Sequence, residues 1–353
     1  MARPIFVGLD IGVEETTVCV IDDTGAVVQQ TACGSNARAI HDEIRWVRRR
    51  KSASVAMEAG GIPIARGLRT LGYKIEIYEN RQLSKFLKVR RNKTDLDDAR
   101  GIAEASRLGQ HTLSKVHLKS LDCQALQSRL VFRRHVIRER VAAVNLLCRQ
   151  LELYGGRLSR NDAIAHLSVR AKAEILRLFS RQKNPLADDF MRLLAHCELL
   201  LERQAFYDQG LRRLAFENKT CRLLMQIPGV GPICALTFYA AIDDPARFHR
   251  VQEVGSYFGL APRLQASGMT SRRPRISKMG NGAVRTLLVR AATSFMKSNE
   301  RDPIIYAWAL GVEARSGRLP ARVALARKLS ILMLTMWKKN QPYHHQADIM
   351  PPK

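Results

Sequence analysis

The sequence predicts an α/β N-terminal unit, a helical coiled-coil connector and a mainly α C-terminal unit. Three observations lead there. Short β-rich apolar runs alternate with helical stretches up to about residue 110. From about 115 to 217 apolar residues recur every third and fourth position. Beyond 219 helical segments flank a basic, glycine-bearing loop. A chain of 353 residues has room for two compact units and a connector. The expected segments are 1–112, 113–218, 219–340 and a disordered tail, 341–353, with three prolines.

Taken in order, Ile5–Asp10 is an apolar run ending in an acid, and Thr16–Ile21 and Ala26–Thr31 flank Asp22-Asp23-Thr24-Gly25. Such a polar, glycine-ended tetrad between β-rich runs signals a hairpin. A helix is expected over about His41–Arg50, then a strand from Ala53 to Met57 ending at Glu58. Gly60-Gly61 opens a helix to Leu71, and Tyr73–Tyr78 is the next strand. The order β-β-β-α-β-α-β-α suits a mixed sheet with helical cover.

In the connector, Ile137, Val141, Val144, Cys148 and Leu151 form one seam. Leu186, Phe190, Leu193, Cys197, Leu200, Gln204, Tyr207, Leu211 and Leu214 form a second. Two helices packed on each other would explain both, but the second seam's length favours a role between molecules. Gly210 weakens an unbroken helix. Further on, helices are expected near 248–259, 283–297 and from Pro320 to Trp337.

Charge narrows the partners. Lys plus Arg number 58 against 32 Asp plus Glu, a net +26. Such a surplus favours a polyanion, because each neutralised phosphate releases condensed counterions. No apolar run approaches the roughly 20 residues of a membrane span, so nucleic acid is preferred to a membrane. The seven cysteines are scattered and never in C-x-x-C spacing, which argues against a disulfide framework or structural zinc. With no signal-peptide pattern at the start, a cytoplasmic, reduced setting is expected.

The chemistry is carried by acids. Asp10 and Glu58 each end a strand, and Asp95 and Asp98 stand three apart in Lys93-Thr94-Asp95-Leu96-Asp97-Asp98-Ala99-Arg100. That spacing places two carboxylates on one helical face and turns Asp97 away, leaving it as a cap or surface charge. Converging carboxylates suit hard cations such as Mg²⁺ or Mn²⁺, and two ions about 4 Å apart serve phosphodiester chemistry. Gly8-Leu9-Asp10-Ile11-Gly12 also fits the opening strand of actin-like ATPases and sugar kinases. Those folds need a second such hairpin, and none follows residue 110.

Ile227-Pro228-Gly229-Val230-Gly231-Pro232 precedes an apolar helix, Ile233–Ala241, in a helix-hairpin-helix-like arrangement. Backbone N–H groups at Gly229 and Gly231 would there hold a phosphate without reading bases. The plainer reading is a tight turn before a buried helix. In the loop from about 262 to 282, Arg263, Arg272, Arg273, Arg275 and Lys278 would hold phosphates, and Lys93 would do the same beside the acids. Among Ser267, Ser271 and Ser277 the residues alone favour no nucleophile.

Taken together, Gly-Leu-Asp10-Ile, Ala-Met-Glu58-Ala and Asn92-Lys93-Thr94-Asp95-Leu-Asp-Asp98-Ala-Arg100 resemble the DEDD transposases of the insertion-sequence one-hundred-and-ten family. So do Ile-Pro-Gly-Val-Gly, Phe258-Gly259-Leu260-Ala261-Pro262-Arg263, Ser267-Gly268 and Ile276-Ser277-Lys278-Met-Gly280. The similarity spans about residues 5–110 and 220–300. It implies an RNase H-like (RuvC-like) domain, a coiled coil and a C-terminal transposase domain. It also implies an RNA-guided serine recombinase working on donor and target double-stranded DNA with a structured bridge RNA. The resemblance makes Asp10, Glu58, Asp95 and Asp98 the metal-binding tetrad and Ser267 the nucleophile of a phosphoserine link. Ala266 stands where the family pattern has an acid. The family assembles as a homo-oligomer, dimer to tetramer, with the serine and tetrad of one composite site on different subunits. A metal-dependent nuclease or junction resolvase, with water attacking at the same tetrad, is the alternative.

Overall fold

The computed structural model describes residues 3–49, 53–88, 94–108, 113–158, 164–179, 185–262 and 276–344, without the side chains of 95 and 164–168. Two compact units result, Met1–Lys119 and Ser120–Lys353.

In the first unit, β1 (Ile5–Ile11), β2 (Glu15–Ile21) and β3 (Val27–Gly34) form an antiparallel meander. The turn between β2 and β3 is the expected one. The Asp22 Oδ1 accepts from the backbone N–H groups of Thr24 and Ala26, and Gly25 takes a φ of 89°. Then come α1 (Ala37–Ile44), a 3₁₀ turn over Arg45–Arg49, β4 (Ala53–Glu58), α2 (Ile62–Thr70), β5 (Ile75–Tyr78), α3 (Asn80–Leu87) and α4 (Asp95–Leu108). The helix expected over His41–Arg50 therefore starts earlier, where the Asn36 side chain accepts from the Arg38 and Ala39 N–H groups. Strand order is β3-β2-β1-β4-β5, with β4 parallel to both β1 and β5.

Each face of this sheet has its own cover. Val7, Leu9, Val55 and Met57 pack with Ile40 and Ile44 of α1 and Ala65 and Leu68 of α2. Phe6 packs with Ala99 and Ala103, and Ala56 with Ile102 and Ala105, all on α4. The period of two along each strand is what separates the two sets.

The second unit is helical: α5 (Leu121–Leu153), α6 (Ile164–Phe179), α7 (Pro185–Glu217), α8 (Lys219–Leu224), α9 (Pro232–Ile242), α10 (Glu253–Tyr257), α11 (Gly282–Phe295), α12 (Pro303–Ser316) and α13 (Arg318–Lys339). No strand-built second domain stands among its described residues, as the ATPase and kinase reading would need. The helix expected at 248–259 is only α10, because a 3₁₀ turn at Pro245–Arg247 and turns to Gln252 precede it.

The two seams are used within the chain. Val136, Leu147 and Leu151 of α5 pack with Ile175 and Phe179 of α6 and with Phe190, Leu194, Cys197 and Leu200 of α7. Of the expected α5 seam, Cys148 and Leu151 are buried and Val144 packs on this core, but Val141 is exposed, and Val136, Ala143 and Leu147 are buried as well. Further along α7, Leu211 and Ala215 belong to the larger core with α9, α11 and α13. The connector is thus continuous with the C-terminal helices, and one compact unit results. At the expected tail, the Tyr343 N–H donates to Gln226 Oε1 and its hydroxyl to Asp302 Oδ2; residues from 345 lie outside the described ones.

Candidate active site

The carboxylates are positioned by strand register and one helix. Leu9 of β1 is the Cα partner of Met57 of β4, so Asp10 and Glu58 come next on adjacent parallel strands. Asp10 has the parity of Phe6 and Gly8, and Glu58 that of Ala56; these are the residues facing α4. The chain runs from β1 outward to β2 and β3, then returns to place β4 and β5 on the other side. The β1–β4 step is therefore a topological switch point, and Asp10 and Glu58 straddle its carboxyl end. In open α/β sheets that is where ligands bind.

Helix α4 supplies the rest. Its Ser106 hydroxyl lies 2.9 Å from that of Ser54 at the start of β4, while Ala99 and Ala103 meet Gly8 of β1. It therefore runs opposite to β1 and β4, and its first turn, with Asp95 and Asp98, arrives at the strands' carboxyl ends. Gly8 makes the close approach possible: a Cβ there would stand 2.1 Å from the Ala99 carbonyl oxygen. Gln30 of β3 holds the same turn, its Nε2 donating to the Leu96 carbonyl at 3.1 Å.

Asp97 and Asp98 are separated as the spacing predicts. The Thr94 hydroxyl accepts from the Asp97 N–H at 3.2 Å and donates to Asp97 Oδ2 at 2.7 Å. Asp97 closes the start of α4 as a reciprocal cap. Asp98 takes no part in that cap, and with Asp10 and Glu58 it is half-buried. The side chain of Asp95 and all of Lys93 lie outside the described residues. Among the described residues no three His, Cys, Asp or Glu side chains stand together so as to hold a metal ion. The donor set at this end is all oxygen, which fits a hard divalent cation in kind.

The far end of α4 is locked by a buried polar network that sequence reading missed. Glu76 of β5 accepts from the Tyr78 hydroxyl at 2.8 Å, the Ser106 hydroxyl at 3.0 Å and Lys115 Nζ at 2.7 Å. Burial pushes the Glu76 carboxyl up, but the hydrogen bonds from Lys115 and Tyr78 and the Lys115 charge outweigh it and hold it below the ordinary value. Burial, then Glu76, pushes the Tyr78 phenol up. A glutamate in an alternating strand gives no hint of this in sequence.

In the second unit the hairpin glycines divide. Gly229 has a φ of 85°, and a Cβ there would stand 2.5 Å from the Ala291 carbonyl oxygen. It is the contact that lets the hairpin lie on α11. A Cβ at Gly231 would meet nothing within 4 Å, and this residue caps α9 without a side-chain hydrogen bond. The basic loop stands on a fixed stem: Pro262 bridges Ile276, and the Ser277 and Lys278 N–H groups donate to the Ala261 and Gly259 carbonyls. Lys278 is exposed there at a φ of 54°. Arg263, Ser267, Arg272, Arg273 and Arg275 lie outside the described residues.

Comparison with known proteins meets this geometry at both units. Residues 7–155 match the DEDD transposase model of the IS110 group, and residues 221–306 match the transposase IS116/IS110/IS902 family. The chain belongs to the IS110 transposase family. Among the relatives of this transposase is that of insertion sequence element IS1111A of Coxiella burnetii. It is 28% identical over 342 residues, 95% of this chain and 90% of the relative. The transposase for IS1328 of Yersinia enterocolitica is 28% identical over 78% of this chain and 81% of its own length. A probable family 20 transposase of Pseudomonas aeruginosa is 27% identical over 82% and 85%. The DEDD match covers Asp10, Glu58, Asp95 and Asp98, and the second covers the hairpin and the basic loop.

Proposed function

We propose that this insertion-sequence transposase cuts and rejoins double-stranded DNA by serine attack, with strand choice guided by a structured RNA. What supports the reading is the β1–β4 register, which sets Asp10 and Glu58 on neighbouring strand ends, with the first turn of α4 running to the same edge of the sheet. The mixed sheet and its single long covering helix support an RNase H-like domain. Asp10, Glu58, Asp95 and Asp98 would hold Mg²⁺ or Mn²⁺. Such an ion, when bound, withdraws charge from a phosphodiester oxygen and makes the phosphorus easier to attack.

The chain's own groups do the remainder. The Ser267 oxygen would form a bond to phosphorus while the bond to the bridging sugar oxygen breaks, and the displaced hydroxyl takes up a proton. The serine proton leaves to solvent or to a neighbouring base. Return attack by a sugar hydroxyl on the phosphoserine reverses these bonds, so rejoining needs no external energy source. Arg263, Arg272, Arg273, Arg275 and Lys278 would hold the strand, and Lys93 would neutralise phosphate beside the acids. Sharing one site between subunits needs an oligomer, dimer to tetramer. Exposed Phe132 of α5 and Phe206 of α7 leave apolar surface for it.

The test is a suicide DNA substrate nicked near the crossover, resolved under denaturing conditions. A divalent-ion-dependent protein–DNA adduct, absent in Asp98→Ala, supports the reading. Cutting without any adduct would make water the nucleophile and the protein a resolvase-like nuclease. Sequencing the RNA that copurifies with the protein tests the guide.

A further inference from the structure

Where α5, α7 and α11 meet the start of α9, the second unit holds a cleft of about 270 Å³. Three arginines line it, one from each long helix around it: Arg133 of α5, Arg212 of α7 and Arg290 of α11. The acid among its lining residues is Asp208, which pairs with Arg133. Arg212 and Arg290 are exposed and form no ion pair with a described carboxylate. The cleft therefore carries a net excess of two positive charges. Gly231 and Ile233 form another wall, where the first N–H groups of α9 have no side-chain cap. Orphan amides of a helix start add donors of the same sign.

We infer that this cleft is a phosphodiester clamp for duplex DNA, with Arg212 and Arg290 as its gripping residues and Asp208 as its internal brake. The inference rests on the DNA-processing reading above and adds a contact distant in sequence from the basic loop. The arginines come from three separate helices, and their joint placement follows from packing rather than from a local charge run. Unpaired guanidiniums facing one opening are where an anion gains most, since each can bind two phosphate oxygens at once. The cleft offers amides and guanidiniums and contacts backbone, so it reads no sequence. Asp208 lowers the grip by engaging Arg133, and its removal frees a third cation.

The experiment measures binding of the full-length protein to a 30-base-pair duplex of unrelated sequence across a salt series. Arg212→Gln with Arg290→Gln should lower the salt slope by about 1.8, at about 0.9 per phosphate contact, and weaken binding alike on every duplex sequence. Asp208→Asn should tighten binding and steepen the slope, whereas a purely structural role predicts weaker binding. Arg203→Gln, an exposed arginine elsewhere on α7, should leave the slope unchanged. An unchanged slope in the double variant overturns the clamp, as does a slope lost on hairpin RNA alone. Asp98→Ala is carried in parallel. If it still cuts DNA as wild type does, the carboxylate reading fails whatever the cleft does.

Discussion

Leu9 pairs with Met57 across the parallel β1–β4 step, and that register alone sets Asp10 beside Glu58 at the switch point. A slip of one residue would turn one acid to the α1–α2 face, where aliphatic side chains fill the space. The register is held by the burial of Val7, Leu9, Val55 and Met57 on that opposite face. Apolar packing on one side of the sheet thus positions polar chemistry on the other.

The first prediction separates Asp97 from Asp98. Asp98→Ala should bring recombination to background with DNA binding kept. Asp97→Ala removes only its part of the reciprocal cap with Thr94, costing up to about 1 kcal/mol of stability. Its activity should stay within a few-fold of wild type. Parallel activity and denaturation measurements check this, and equal loss at both positions would sink it.

Much of the first unit was legible in the sequence because its strands alternate and end in identifiable turns. Asp22-Asp23-Thr24-Gly25 and the acid-ended runs at Asp10 and Glu58 each fall where expected. The seam of α5 was less legible. A long helix packed on both α6 and α7 buries more than one stripe, so Ala143 and Leu147 are inside while Val141 stays outside. The arginine cleft and the Glu76 network left no local pattern, since their members are separated by 39 residues in the Lys115–Glu76 pair and 75 in Arg133–Asp208. Only the packed fold brings such groups together.

Glu76 should give the first unit an acid-sensitive anchor. Its folded value is depressed, so its contribution is fully present above the unfolded carboxylate value and is lost as pH falls through the folded one. Glu76→Gln leaves Lys115 without its ionic partner and should cost about 1–3 kcal/mol at neutral pH. The variant should also show a shallower loss of stability on acidification. Denaturant unfolding from about pH 3 to about pH 7, an interval that spans the ordinary carboxylate values, checks this; identical acid limbs in both proteins would exclude Glu76 as the titrating anchor.

The hairpin glycines should respond in opposite ways. Gly229→Ala forces a Cβ toward the Ala291 carbonyl at a positive φ, and should destabilise the second unit by about 2 kcal/mol or more. Gly231→Ala enters open space with an ordinary backbone, and should change stability by no more than about 0.5 kcal/mol. Thermal unfolding of both variants tests this. Comparable losses would mean that Gly231 too is held by packing.

The last prediction concerns the nucleophile. On the proposed mechanism, Ser267→Ala removes the attacking oxygen and leaves the carboxylates and the basic residues unchanged. It should bind DNA as wild type does, yet form neither adduct nor recombinant. Ser267→Cys keeps a nucleophile in the same position, but sulfur is larger and softer than the hydroxyl oxygen and matches a hard-cation site poorly. A small residual activity is expected, with a sulfur–phosphorus link, cleaved by silver ion or iodine, in place of the serine ester. Ser271→Ala and Ser277→Ala are the internal comparisons. The Ser277 N–H is already committed to the loop stem, donating to the Ala261 carbonyl at 2.9 Å, so its replacement should leave adduct formation intact. The nicked suicide substrate reads all four variants in one denaturing gel. An adduct from Ser267→Ala would assign the chemistry to another residue, and its loss from Ser277→Ala instead would move the nucleophile to the stem.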